Sequence, residues 1–149
     1  MTIPLRRRPK SIPKQATLRI TQDMGENGAC GVFSSDSRDL VSLCWDEDGN
    51  SDWEIWFDKK GERRLELERH WGQGAVTYRC PYRNGLPHGL VQQWDKDGVL
   101  LLETRFENGT GADLWWADGF SEHHPLVDGR LHGADQWWAD SKTVYEETA

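Results

Sequence analysis

The sequence predicts an all-β protein in which consecutive antiparallel β-hairpin repeats form an extended twisted sheet. Three observations carry this prediction. Asn-Gly and Asp-Gly dipeptides recur along the chain, the segments between them alternate apolar and polar residues, and a nine-residue segment recurs with seven of its nine residues identical. The length of 149 residues suits one domain with its own core. No run of about 18 apolar residues occurs, which excludes a transmembrane helix.

The charge is divided unevenly between a basic N-terminal arm and an acidic body. Residues 1–19 contain six of the 18 basic residues, no acid, and three prolines, which disfavour a helix or an inner strand. We therefore predict a disordered basic arm over residues 1–16 and a single β-repeat domain over residues 17–149. The alternative is an arm that docks on an acidic surface, either the protein's own body or a nucleic acid.

The strongly acidic body limits the kinds of partner that the protein is expected to bind. Residues 20–149 hold the other 12 basic residues against all 25 acidic ones, which gives a net charge of −13. Such a body repels a phosphate backbone, so the main domain is not expected to bind nucleic acid.

Internal repetition is clearest in residues 82–148. The nine-residue segment recurs at an offset of 22 residues, and an Asx-Gly turn recurs at twice that offset. The related segments are 111–119 with 133–141, 84–89 with 128–133, a third copy at 89–98, and weaker copies that end at 56–61 and 45–49. A period of roughly 20 to 24 residues is typical of repeat architectures.

Each repeat reads as a strand, a turn and a strand. Asn or Asp before Gly supplies the positive φ angles of tight hairpin turns. Alternation with a period of two predicts strands at 63–71 and 99–106, and 17–21 and 39–45 are further strand candidates. The Gly-rich segment 24–31 lacks the spacing and the lysine of a phosphate-binding loop, and we interpret it as a turn.

The turns carry a resemblance to a known repeat. Residues 82–89, YRNGLPHG, are followed by Trp94 and by the turn Asp97-Gly98. This pattern resembles the MORN-variant repeat, the short β-hairpin repeat of bacterial proteins often labelled antitoxin-like, over about residues 45–148. The sequence departs from it where Ser141 replaces a turn glycine and where two tryptophans replace one aromatic residue. The resemblance implies a β-repeat sheet and supplies no catalytic residues.

The cysteines give no sign of a disulfide framework. Cys30, Cys44 and Cys80 are an odd number at wide spacing, and no CxxC motif occurs. We interpret them as small buried or half-buried thiols in a reducing cytoplasm.

No group of residues points to catalysis, to a metal or to a cofactor. His123 and His124 are adjacent, and adjacent residues of a strand face opposite sides, so the pair cannot easily share a metal. His88 and His132 occupy equivalent turn positions, which favours hydrogen bonding in loops over general-base catalysis. We expect no enzymatic activity, and an enzyme with an unrecognised site is kept as a rival hypothesis.

The paired tryptophans are the strongest signal for binding. Trp115-Trp116 and Trp137-Trp138 lie one repeat apart, and on strands one member of each pair faces the core while the other faces outward. The outward members would form an aromatic patch of the kind that anchors protein partners, with carboxylates at its rim. The candidate rim residues are Asp113 with Asp135, or Asp118 with Asp140. Cover of this face by the arm or by a second subunit is the alternative.

These features favour a non-enzymatic bacterial protein-binding module, specifically an immunity or antitoxin protein that neutralises a cognate toxin. A basic toxin domain would associate with the acidic body quickly and in a salt-sensitive way. The alternative is a structural or membrane-associated scaffold whose basic arm holds anionic lipid. A homodimer, formed through open strand edges or through the aromatic face, is a further hypothesis.

Overall fold

The computed structural model describes residues 2–70, 74–117, 120–128, 130–131, 134–139 and 143–148, and for 112–125 and 130–148 it describes the backbone alone. These residues form strands, turns and one 3₁₀ turn at Gly25–Asn27, and they contain no α-helix. The predicted fold class of consecutive antiparallel hairpins is confirmed. The chain divides into two compact units, residues 1–76 and 77–149.

The strands follow one another with short turns between most of them. In chain order they are β1 (Thr17–Asp23), β2 (Ala29–Ser35), β3 (Arg38–Trp45), β4 (Ser51–Phe57), β5 (Arg63–Arg69), β6 (Val76–Arg83), β7 (Leu86–Pro87), β8 (Gly89–Trp94), β9 (Leu100–Phe106), β10 (Gly111–Ala117), β11 (Phe120–Val127), β12 (Arg130–Leu131), β13 (Ala134–Ala139) and β14 (Thr143–Thr148).

The first unit is a sheet in which β1 to β5 pair in chain order. One row of the register runs through Ile20, Gly31, Leu43, Glu54 and Leu67. Because residues two apart on a strand share a face, this row and every second row beside it build one side of the sheet. That side carries most of the buried core of the unit, whose sheet members are Ala29, Phe33, Val41, Leu43, Trp45 and Trp56.

The N-terminal arm corrects our expectation of disorder over residues 1–16. Residues 2–16 lie on the core side of the sheet, where Ile12 and Ala16 are buried and Ile3 and Leu5 pack against the same cluster. The Trp45 indole N–H donates a hydrogen bond of 2.7 Å to the carbonyl of Ile3. Apolar residues lie between the cations of the arm and pack into the core. The high charge and proline content of the arm led to the prediction of disorder because they outweighed these few apolar residues.

Two further contacts fix the path of the arm. The Arg6 backbone N–H donates to the carbonyl of Gly49 (2.8 Å), a residue with a φ of 79°. A Cβ at Gly49 would lie 2.5 Å from the carbonyl oxygen of Pro4, so only glycine lets the two chain segments approach this closely. The Arg8 guanidinium lies over the ring of Phe33 and donates to the carbonyls of Pro13 and Ala16.

The arm and the rest of the first unit carry net charges of opposite sign. Residues 1–19 carry six positive charges, and the other residues of the first unit, 20–76, carry six basic and 13 acidic groups. The net charges of the two parts are +6 and −7. The arm therefore packs on a unit of opposite net charge, which agrees with the alternative that it docks on the protein's own acidic body.

The cysteines correct a second expectation. Cys30 and Cys44 lie directly opposite each other in the β2–β3 register, with Cα atoms 4.0 Å apart, and form a disulfide. Cys80 is buried and lies outside this disulfide, as expected. Three cysteines without a CxxC motif gave no sign of a pairing, because the sequence alone does not reveal that two cysteines 14 residues apart face each other across a hairpin. The expectation of a cytoplasmic location therefore loses the support that free thiols gave it.

The second unit contains two groups of strands. β6 pairs with β7 and β8, and β8 pairs with β9, around a small core of Tyr78, Cys80, Val91 and Phe106. β10, β11, β13 and β14 form a further sheet in that order, with β12 paired to β11. In the part of the chain that is described, each of these pairings is antiparallel.

The Asx-Gly turns divide into two kinds. Asn84 and Asn108 have φ angles of 51° and 49°, and each is followed by a glycine of positive φ, as predicted. At Asp48-Gly49 and Asp97-Gly98 the glycine alone has a positive φ. The prediction of two positive φ angles at every Asx-Gly pair is therefore wrong at these two turns.

Candidate functional site

The register aligns the two tryptophan pairs. Trp115 of β10 and Trp137 of β13 both pair with Glu122 of β11, which lies between them. Trp116 and Trp138 pair with Ser121 in the adjacent row. Each tryptophan pair therefore contributes one residue to each of two rows, which we call the Glu122 row and the Ser121 row. Equivalent residues in a row are two strands apart, about 10 Å.

The predicted acidic rim is placed only in part. Asp113 pairs with His124, and Asp135 pairs with Glu147. Backbone alternation sets positions 113 and 135 on the same side of the sheet as the Glu122 row. Asp118 and Asp140 lie outside the described residues, as do the side chains of the four tryptophans, Asp113 and Asp135.

The histidines include one whose role can be read directly. The Nδ1 atom of His88 accepts a hydrogen bond of 3.0 Å from the backbone N–H of Asn108, and Pro87 accepts one from Gly109. His88 therefore ties its own turn to the next turn, as the interpretation of a loop histidine predicted. Its equivalent, His132, lies outside the described residues.

One buried carboxylate was not anticipated. Glu54 is 5% exposed and accepts hydrogen bonds from the Ser51 hydroxyl (3.1 Å), the Trp56 indole N–H (3.2 Å) and Arg69 Nε (2.6 Å). A buried charge requires such partners, and here a hydroxyl, an indole and a guanidinium supply them. The Glu54 carboxylate is neutralised by Arg69 and fixed by its hydrogen bonds, which is typical of a structural ion pair. Within the described ranges, no group of three His, Cys, Asp or Glu residues could hold a metal ion.

Two exposed or half-exposed carboxylates have shifted pKa values. Hydrogen bonds from the Thr2 hydroxyl (2.6 Å) and from the Gly25 backbone N–H (2.9 Å) lower the pKa of Asp23. Burial raises the pKa of Asp52, and the negative charge of Asp46 raises it further.

An apolar groove lies beside the edge strand β1. Leu18 and Ile20 remain 37% and 42% exposed, and with Ile3 and Leu5 they line a cavity of about 500 Å³. β1 stands at the end of the strand order, so its outer edge presents backbone groups next to this groove. Such an arrangement can accept an extended peptide.

A second cavity in the first unit is polar. It has a volume of about 690 Å³ and lies between the arm and the β3–β4 turn. Arg6, Arg7, Lys10 and Arg69 line it, together with Ser51. This site is not visible in the sequence, because the cations of the arm and the residues of the turn are brought together only by the docking of the arm.

Comparison with known proteins identifies no family. No family model matches the chain, and no curated protein matches it either. Among solved structures, the crystal structure of a GtfA/B complex bound to UDP and GlcNAc contains a chain similar to this one at a TM-score of 0.45 and 14% sequence identity. The similarity covers 100% of this chain and 27% of that chain, and at this level it carries no argument about function. Within the described chain, no helix is long and apolar enough to cross a membrane.

Proposed function

We propose that the protein is a non-enzymatic protein-binding module of the immunity or antitoxin kind, which covers a basic toxin domain through its paired tryptophans. The observation that carries the proposal is the register of β10, β11 and β13, in which equivalent tryptophans of successive repeats share a row. Backbone positions two strands apart, about 10 Å, are close enough for two tryptophans to contribute to one cluster of anchor residues.

Charge supports a basic partner. Residues 77–149 contain six basic and 12 acidic residues, and Glu122 stands between Trp115 and Trp137 in the register. An acidic surface speeds association with a basic protein, and added salt slows that association. The resemblance to MORN-variant repeats, which occur in bacterial proteins often labelled antitoxin-like, also supports this proposal.

The proposal is tested by co-purification from the native cell. The untagged protein should co-purify with a basic toxic protein, and salt should weaken the complex. Deletion of the gene beside an intact toxin gene should reduce viability. Unchanged viability after that deletion would contradict the proposal.

Row variants make the test specific to the tryptophans. Trp115→Ala/Trp137→Ala and Trp116→Ala/Trp138→Ala each remove one row of indoles, so the two variants are matched in size and chemistry. We expect the variant that keeps its fold to lose the partner. Retention of the partner by a variant that keeps its fold would contradict the role of the rows.

The alternative of a lipid-binding scaffold predicts a different result. Vesicles that contain anionic lipid would bind the wild type and would release a variant that lacks charges of the arm. Truncation of the arm is unsuitable here, because Ile12 and Ala16 belong to the core. Substitution of exposed cations removes charge without that loss.

A further inference from the structure

The polar cavity beside the arm holds more positive charge than the protein itself neutralises. Arg69 is neutralised by Glu54, and Arg8 is held by Phe33 and by two carbonyls. Arg6, Arg7 and Lys10 line the cavity and are exposed, and in the described residues their side chains have no hydrogen-bond or ion-pair partner. Glu54 also lines the cavity but is paired with Arg69, so these three cations face a shared concave space without an anion of their own.

The backbone that carries these cations is fixed on both sides of the cluster. Before it, the Trp45 indole binds the carbonyl of Ile3, and Arg6 binds Gly49 through its backbone. After it, Ile12 is buried in the core. A ligand would therefore meet cations whose backbone is already ordered, which reduces the entropy lost on binding.

The shape and surroundings of the cavity select a compact anion. A volume of about 690 Å³ falls in the usual range of small-molecule sites. The acidic turn that contains Asp46, Glu47 and Asp48 leads directly to Gly49 and Asn50, which line the cavity. A long polyanion that extended past Gly49 would meet this negative charge, which disfavours it relative to an anion small enough to stay within the cavity.

We infer that this cavity binds a small phosphate-bearing molecule, whose phosphate oxygens accept hydrogen bonds from Arg6, Arg7 and Lys10. Arginine presents a planar fork that matches phosphate oxygens, and lysine adds a mobile point charge. Two or more negative charges on the ligand would balance the unpaired cations. The inference is independent of the tryptophan rows, since it concerns only residues 1–76.

The experiment is a calorimetric titration of the full chain with inorganic pyrophosphate at low salt. We expect saturable binding of one ligand per chain. Arg7→Gln/Lys10→Gln should weaken this binding about tenfold or more, because it removes two charge-assisted contacts. The matched control, Lys14→Gln/Arg19→Gln, removes one lysine and one arginine outside the cavity and should leave the affinity unchanged.

Several results would overturn the inference. They are an absence of saturation, an equal loss of affinity in both double variants, or binding of citrate as tight as that of pyrophosphate, which would show that phosphate is not preferred. Circular dichroism of each variant verifies the fold. The substituted side chains are exposed, so we expect wild-type spectra.

Vesicles of phosphatidylserine and phosphatidylcholine distinguish a lipid headgroup from a free phosphate compound. Vesicle binding that pyrophosphate displaces and that Arg7→Gln/Lys10→Gln loses would identify a headgroup as the source of the phosphate in this cavity. The proposed site would be overturned if pyrophosphate did not bind and if neither pyrophosphate nor the Arg7→Gln/Lys10→Gln substitution reduced vesicle binding.

Discussion

Three aspartates build the same turn at separate places in the chain. Asp46, Asp58 and Asp95 each accept hydrogen bonds from the backbone N–H groups two and four residues later, at 2.8 to 3.0 Å. The carbonyl of each also accepts a bond from the glycine three residues later. One carboxylate thus satisfies two donors that a tight turn would otherwise leave to water.

The turn at Asp95 gives a test with an internal control. Asp95→Ala should lower the free energy of unfolding by roughly 1 to 2 kcal/mol, because two backbone N–H groups lose their acceptor. Asp97→Ala removes the same charge from the same turn, but from an exposed side chain, and should change stability by less than about 0.5 kcal/mol. Urea denaturation measures both, and equal losses would contradict this account of the turn.

Asp52 gives a prediction that depends on pH. Its folded-state pKa is raised above 3.8, so its contribution to stability is present below pH 3.8 and is lost as the pH rises through the folded-state pKa. Asp52→Asn should therefore stabilise the protein at neutral pH, by about half a kcal/mol for this half-exposed group. Denaturation curves should converge with those of the wild type in acid. A difference that persists in acid would assign the effect to something other than charge.

The cysteines can be counted chemically. The non-reduced chain, unfolded in denaturant, should react with one equivalent of a thiol reagent, at Cys80, because Cys30 and Cys44 form a disulfide. Before unfolding, Cys80 should react slowly because it is buried. Three reactive thiols in the unfolded, non-reduced chain would contradict the pairing across β2 and β3.

The arm is the element whose behaviour departs most from its composition. Its described residues, 2–16, form no strand, yet its apolar residues cover the core side of β2, β3 and β4. Burial of a few apolar side chains and the hydrogen bonds of Ile3, Arg6 and Arg8 hold it in place. The cations then line a cavity that an unattached arm would not form.

Docking of the arm is tested by a pair of isoleucine variants. Ile12→Ala should cost about 2 to 4 kcal/mol of stability and should expose the arm to proteases, because Ile12 is buried in the core of the first unit. Ile20→Ala removes the same atoms from a side chain that is 42% exposed and should cost about 1 kcal/mol or less. Limited proteolysis and chemical denaturation report the two effects. Equal sensitivity of both variants would contradict docking.

The elements differ in how much of them the sequence predicts. The strand candidates 17–21 and 39–45 correspond to β1 and β3, because period-two alternation is a local signal. The turn at Asp36-Ser37 has φ angles of 53° and 62° without a glycine, so a search for Asx-Gly pairs misses it. The disulfide, the Glu54–Arg69 pair and the polar cavity depend on which distant residues meet, and periodicity does not contain that information.

At the scale of the whole molecule, the two units differ in charge. Residues 1–76 hold 12 basic and 13 acidic residues, whereas residues 77–149 hold six and 12. The excess negative charge therefore belongs to the unit that carries the tryptophan rows. This division fits a protein that binds a basic partner through its second unit and a small anion through its first.

The repeat also explains why the two tryptophan pairs fall in register. An offset of 22 residues brings equivalent positions to β10 and β13, which both pair with β11. Because adjacent residues of a strand face opposite sides, the Glu122 row and the Ser121 row belong to different faces of the sheet. One face can be packed while the other meets a partner.

Chemical denaturation of the two row variants tests this central claim most directly. We predict an asymmetric result: one of Trp115→Ala/Trp137→Ala and Trp116→Ala/Trp138→Ala should lose about 3 to 5 kcal/mol per tryptophan, as core residues do. The other should lose about 1 kcal/mol or less per tryptophan and keep a cooperative transition. Core-like losses in both variants would contradict an exposed aromatic surface.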